Sequence, residues 1–241
     1  MSTRKITRKE MKQDDFVSTV GRITIWVEEN LTTLLWGAAA LVVVASLGYG
    51  FVSWRNSKAM EAHGALSVVV ETYSAPVGSV VPQSPSQATF ATEEDKFRTV
   101  LLLADGVIQN HGSSDAGQIA RLYRGLAAFE LEENEAARGD FDTFLASNPS
   151  HFLAPQARRK LAEMDERAGN LDQACDAYRE LTQQASAVLP EELSLLDLAR
   201  CLAAKGEREE SGATYQRILD DFPGSVYVTE ARNSLQKLEE G

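Results

Sequence analysis

Gly125 to Pro149, GLAAFELEENEAARGDFDTFLASNP, aligns without gaps with Ala162 to Ser186, AEMDERAGNLDQACDAYRELTQQAS, and with Ala199 to Pro223, ARCLAAKGEREESGATYQRILDDFP. Small residues stand at 125, 162 and 199, Ala137 and Ala174 share a second position, and Phe141, Tyr178 and Tyr215 share a third, each step being 37 residues. A fixed period of this length marks an array of like units. Each unit reads as a helical hairpin. The small residue in its first helix lets the second helix cross close by at another small residue, with Ser211 in that place in the third unit. The aromatic four residues later lies on the same helical face and fills space toward the next unit. Gly169 and Gly206 fall between the helices, where a left-handed backbone is useful, and the first unit has Glu132 to Asn134 there instead. Pro149 and Pro223 stop the second helix.

Working outward, the units occupy about 114–150, 151–187 and 188–224, and Ser225 to Glu240 reads as a capping helix (225–240), whose solvent face such an array needs. On the other side a degenerate unit, 55–111, pairs the helix that follows Trp54 with a helix over Glu93 to Asn110. Between them lies Ser74 to Thr92, SAPVGSVVPQSPSQATFAT, rich in Pro and Ser, which is expected to be a mobile loop (74–92).

Before the array comes Leu31 to Trp54, LTTLLWGAAALVVVASLGYGFVSW, without a single charge. As a helix it is about 36 Å long, enough for a hydrocarbon core of about 30 Å. Trp36, Tyr49 and Trp54 suit the headgroup level, and Arg55 and Lys58 follow. The run is longer than that of a signal peptide and is followed by bulky residues, so an uncleaved anchor over 31–54 is expected. Residues 1–30, a partly helical tail, carry six bases (Arg4, Lys5, Arg8, Lys9, Lys12, Arg22) against five acids, which favours a cytoplasmic N-terminus. Met11, Phe16, Val20, Ile23 and Val27 form a loose helical stripe there, either a docking element or a solvated tail. Ser46 and Gly50 make one small-xxx-small step that suits a partner helix.

Residues 56–241 carry 17 bases and 30 acids, a net charge of −13. That balance speaks against nucleic acid as a partner, because no basic patch is available to neutralise phosphates. It also keeps the region off anionic lipid. His63, His111 and His151 are isolated, with no acidic or cysteine partner at ligand spacing. No phosphate-binding glycine loop, nucleophile elbow or HExxH is present. No enzyme, cofactor, metal site or small-molecule substrate is therefore expected.

The order small residue, turn, Ala, aromatic, Pro resembles the tetratricopeptide repeat, with a period three longer than the usual 34. The departures are the missing large aromatic early in each first helix and Ser186 where Pro is expected. The resemblance implies an all-α fold, a single N-terminal transmembrane helix followed by an α-solenoid of hairpins. In repeats of this type, residues one step from the packing positions face a groove: Leu122, Leu126 and Phe129, then Arg159, Glu163 and Arg167, then Leu196 and Arg200. Such a mixture suits an extended peptide or a partner helix, while packing against a neighbouring helix is the other reading of Leu122, Leu126 and Leu196. Cys175 and Cys201 lie on helices that stack against each other, either as a disulfide in an oxidising compartment or as two small buried residues.

Taken whole, a charged tail, one anchor and four repeat-like units are similar to the bacterial family of membrane-anchored periplasmic proteins that includes the ancillary subunit of the Sec translocon. That resemblance implies a single-pass inner-membrane protein with its C-terminal domain, residues 55–241, in the periplasm. It implies a chaperone-like adaptor whose partners are Sec channel subunits, periplasmic chaperones or secreted chains. The unit endings YRELTQQ and YQRILDDFPGS also look like periplasmic repeat proteins that serve outer-membrane assembly and cell-division coordination, so a scaffold of that kind is the alternative.

Overall fold

A computed structural model describes Trp26 and residues 30–78, 89–184 and 186–240. Among these residues the regular structure is helical: α1 Leu31–Tyr73, α2 Glu93–His111, α3 Asp115–Glu130, α4 Asn134–Ser147, α5 Ala154–Arg167, α6 Leu171–Leu181, α7 Glu191–Lys205, α8 Arg208–Asp221 and α9 Val228–Glu240. The chain divides into two compact units, residues 1–58 and 59–241.

In the first unit, Leu31 to Lys58 of α1 is an apolar helix whose large side chains face outward, among them Leu35, Trp36, Leu41, Val44, Leu47 and Phe51. An 18-residue stretch of α1 has a mean hydropathy of 1.9, so the helix is long and apolar enough to cross a membrane. The amphipathic stripe expected over Met11 to Val27 lies outside the described residues.

The second unit is a succession of small cores, each shared by consecutive helices. Ala62, Leu66 and Val69 at the end of α1 pack with Phe97, Val100, Ala104 and Val107 of α2 and with Ala116 and Ala120 of α3. Leu122, Leu126 and Phe129 of α3 join Ala137, Phe141 and Phe144 of α4 and Ala157 of α5. Cys175, Tyr178 and Leu181 of α6 meet Leu198, Cys201 and Leu202 of α7. Leu195, Leu196 and Ala199 of α7, Tyr215 and Ile218 of α8 and Ala231 of α9 form the last core. Because each core touches only its neighbours, the stability of such an array is close to a sum over units and junctions. The segment between α1 and α2 is pinched at its base, where Gly78 N–H donates to the Phe90 carbonyl (2.9 Å). The mobility expected of that loop falls on 79–88, outside the described residues.

Local chemistry explains the helix ends. Thr92 caps α2 by accepting from Asp95 N–H (3.0 Å), and Ser114 caps α3 by accepting from Gly117 N–H (3.1 Å). Gly125 sits where α4 crosses α3, and a Cβ there would lie 2.9 Å from the Phe141 ring, so the close crossing needs a residue without one. In the third hairpin the crossing is polar: buried Ser211 donates to the Ala199 carbonyl at 2.7 Å. Ser194 on α7 is also fully buried, but its hydroxyl has no partner. Ser194→Ala should therefore stabilise the protein by about 1 kcal/mol in chemical unfolding, since the substitution removes an unpaired buried hydroxyl.

The three hairpin turns share one backbone solution. Glu133, Asn170 and Glu207 N–H groups each reach back to a first-helix carbonyl, Ala128, Asp165 and Leu202, all at 2.9 Å. The preceding residue is left-handed in every case, with φ of 62° at Glu132, 81° at Gly169 and 91° at Gly206. Glu132 is the one non-glycine with positive φ among the described residues. Glu132→Gly should relieve that strain and stabilise the first hairpin by about 1 kcal/mol, read as a raised unfolding midpoint with unchanged slope.

Candidate protein-binding face

The first helices of successive hairpins stand side by side, and the evidence is in their side chains. Lys160 of α5 lies over the Phe129 ring of α3 at 4.1 Å, and Arg167 of α5 lies over the same ring at 4.2 Å. Glu163 ties these two cations together, 3.0 Å from Lys160 and 2.7 Å from Arg167. Lys160 also reaches Glu130 of α3 at 3.7 Å. From α5 to α7 the bridge is a fork: Arg159 donates to both carboxylate oxygens of Asp197, and Arg200 donates to Glu166 (3.2 Å) and lies 3.3 Å from Asp197. Tyr178 completes the knot by donating its hydroxyl to Glu166 at 3.1 Å.

Burial separates the structural members of this row from the accessible ones. The Asp197 carboxylate is only 1% exposed, and Arg159 is largely covered, so this pair is part of the interior. Burial opposes the Arg159 charge, but the bonds to Asp197 outweigh it and raise its pKa. Burial likewise opposes the Glu163 carboxylate, and Lys160 and Arg167 overcome it and hold its pKa below the usual value. Tyr178 is pushed upward by burial, then by Asp197 and Glu166. The side chains of Arg167 and Arg200 keep about half of their surface, at 53% and 46%. Arg167 pairs with one carboxylate of the protein and Arg200 with two, and each retains donors for another.

The eight groove residues expected from register thus split by chemistry. Leu122, Leu126, Phe129 and Leu196 are buried in the hairpin cores and offer no anchor to a ligand. Apolar side chains at these positions gain more from packing against the neighbouring helices than from facing water. Arg159, Glu163, Arg167 and Arg200 do lie together across α5 and α7, with Arg159 locked by Asp197.

Register alone missed Glu130, Lys160, Glu166 and Asp197, which bind the row together. A signal for two of them exists, since Lys160 and Asp197 occupy one repeat position, 37 residues apart, with Tyr123 before them. Tyr123 and Tyr73 extend the row toward α1, stacked edge to face at 5.4 Å. Burial first, then Glu130, pushes the Tyr73 hydroxyl up to about 12.

Cys175 of α6 and Cys201 of α7 are joined as a disulfide with Cα atoms 5.6 Å apart, across the junction between the second and third hairpins. His151 is packed between Phe144 and Phe152, its Nδ1 accepting from Leu153 N–H. Among the described residues no group of three His, Cys, Asp or Glu is arranged to hold a metal ion.

A family model described as a tetratricopeptide repeat-like domain matches residues 25–237. A search of curated proteins finds no match.

Proposed function

Because the chain belongs to the tetratricopeptide repeat-like domain family, whose arrays are scaffolds for protein interaction, we propose that it is a non-catalytic, membrane-anchored adaptor acting beside the Sec translocon on the periplasmic side. The observation that carries this reading is the row on α5 and α7. Two half-exposed arginine side chains, Arg167 and Arg200, each held by a carboxylate of the protein, stand beside the buried Arg159–Asp197 pair. Such an arrangement recognises carboxylates of an extended segment, because the forked donors are held in place before the ligand arrives.

Two independent features support the compartment and the orientation. The Cys175–Cys201 disulfide supports an oxidising compartment for the hairpin array. The six bases of residues 1–30 support a cytoplasmic N-terminus, with α1 as the single anchor in the inner membrane. A protein-binding array held beside the bilayer in this way is positioned to meet chains emerging from the channel and the chaperones that receive them.

In-cell cross-linking followed by purification through a C-terminal tag tests the reading. The expected result is enrichment of Sec channel subunits, periplasmic chaperones or secreted chains, lost in an Arg167→Gln/Arg200→Gln variant whose folded state is checked by its unfolding transition. Enrichment of outer-membrane assembly or division proteins instead would overturn the translocon assignment and favour a scaffold.

A further inference from the structure

The 37-residue period matches the junction between the first and second hairpins, residue for residue, with the junction between the second and third. The later junction is closed. Cys175 of α6 and Cys201 of α7 are both buried and bonded to each other, and Lys205, the last residue of α7, reaches across to Asp172 of α6 at 2.7 Å.

In the earlier junction the positions of Cys175, Cys201, Lys205 and Asp172 hold Arg138, Met164, Ala168 and Glu135. No covalent bond joins Arg138 to Met164, and Ala168 has neither the length nor the charge to reach Glu135. What is left between α4 and α5 is a cleft of about 280 Å³, lined by these four residues with Asn134 and Arg167. That volume lies just below the range of about 300–1,000 Å³ that takes a drug-sized molecule, so the cleft suits one side chain of a polypeptide.

Charge narrows the choice of side chain. Arg138 donates to Asp165 at 2.6 Å and Arg167 to Glu163 at 2.7 Å, so each cation of the lining is already answered by an acid. Glu135 is exposed and is the one charged group of the lining with no ion pair among the described residues. Met164, at the inner end, offers a flexible thioether that adapts to an apolar stem. A lysine satisfies both, since its methylene chain covers apolar surface while its ammonium stays at the water's edge.

We propose that this cleft takes a lysine side chain of a partner polypeptide, its stem against Met164 and its ammonium on Glu135, in the manner of Lys205 and Asp172 one junction later. The site is distinct from the α5–α7 row and selects the opposite charge.

The test uses the full chain in detergent micelles, with ¹³C in the methyl groups of its four methionines. The Met164 signal is assigned through Met164→Leu. At constant ionic strength the protein is titrated with acetyl-Gly-Lys-Gly-amide and with its norleucine analogue, which keeps the stem and lacks the ammonium. The lysine peptide is expected to shift the Met164 methyl saturably with Kd on the order of 1–10 mM, and the norleucine peptide to bind about fivefold more weakly. Glu135→Gln is expected to bring the lysine peptide down to the level of the analogue. Ala168→Lys supplies the cation from within the chain, so it should shift the Met164 methyl without peptide and abolish the response to it. Unfolding transitions check that each variant is folded. A Met164 methyl that ignores the lysine peptide, equal affinity for the norleucine peptide, or undiminished lysine binding in folded Glu135→Gln or Ala168→Lys would overturn the proposal.

Discussion

Replacing Asp197 by alanine lowers the stability of the hairpin array by about 3 kcal/mol, equivalent to a fall in melting temperature of about 6–12 °C for a domain of this size. The size follows from what is left behind. Asp197 is 1% exposed and takes both forked donors of Arg159, itself largely covered, while Arg200 lies 3.3 Å away. Without the carboxylate, a guanidinium group stays in a poorly hydrated place with no acceptor, and two cations of α5 and α7 face each other. The paired replacement Arg159→Met/Asp197→Leu should recover most of the loss, because it removes the charge that the single substitution strands. Thermal and urea unfolding of both variants checks this. A single variant as stable as the parent would mean that the pair is hydrated in solution and plays no part in joining the second and third hairpins.

Removing the cystine has a comparable effect by a different route. Cys175 and Cys201 are 26 residues apart, and a cross-link of that span limits the unfolded chain by about 3.5 kcal/mol on the chain-entropy account. A Cys175→Ser/Cys201→Ser variant should lose about that much stability, and reductant should destabilise the parent protein to the level of the variant while leaving the variant unchanged. Alkylation before reduction should label neither cysteine in protein extracted from cells. Full labelling of both thiols, or a parent protein indifferent to reductant, would remove both the stabilising role and the argument from the cystine to an oxidising compartment.

Much of this architecture is legible in the amino-acid order because an array repeats its constraints. Gly125, Ala162 and Ala199 mark the same crossing three times, and Gly169 and Gly206 mark the same left-handed turn, which Glu132 adopts as well. The long apolar helix α1 is legible for a simpler reason, the length of its uncharged run. The binding face was harder to read. Leu122, Leu126, Phe129 and Leu196 have the composition of groove anchors, yet they are buried, because a helix packed on two sides leaves little apolar surface for a ligand. The pairing of Arg159 with Asp197 joins residues 38 apart on different helices, and no local pattern announces such a pair.

The measurement that bears most directly on the central claim is site-specific photo-cross-linking in living cells, with the photoreactive residue placed in turn at Arg167, at Arg200 and at Gln216 on α8. Gln216 is exposed and belongs to a second helix, away from the α5–α7 row. The account predicts adducts with envelope or secreted proteins from positions 167 and 200, and none from 216. Adducts equally abundant from all three positions, or confined to 216, would contradict a protein-binding face on the first helices of the hairpins.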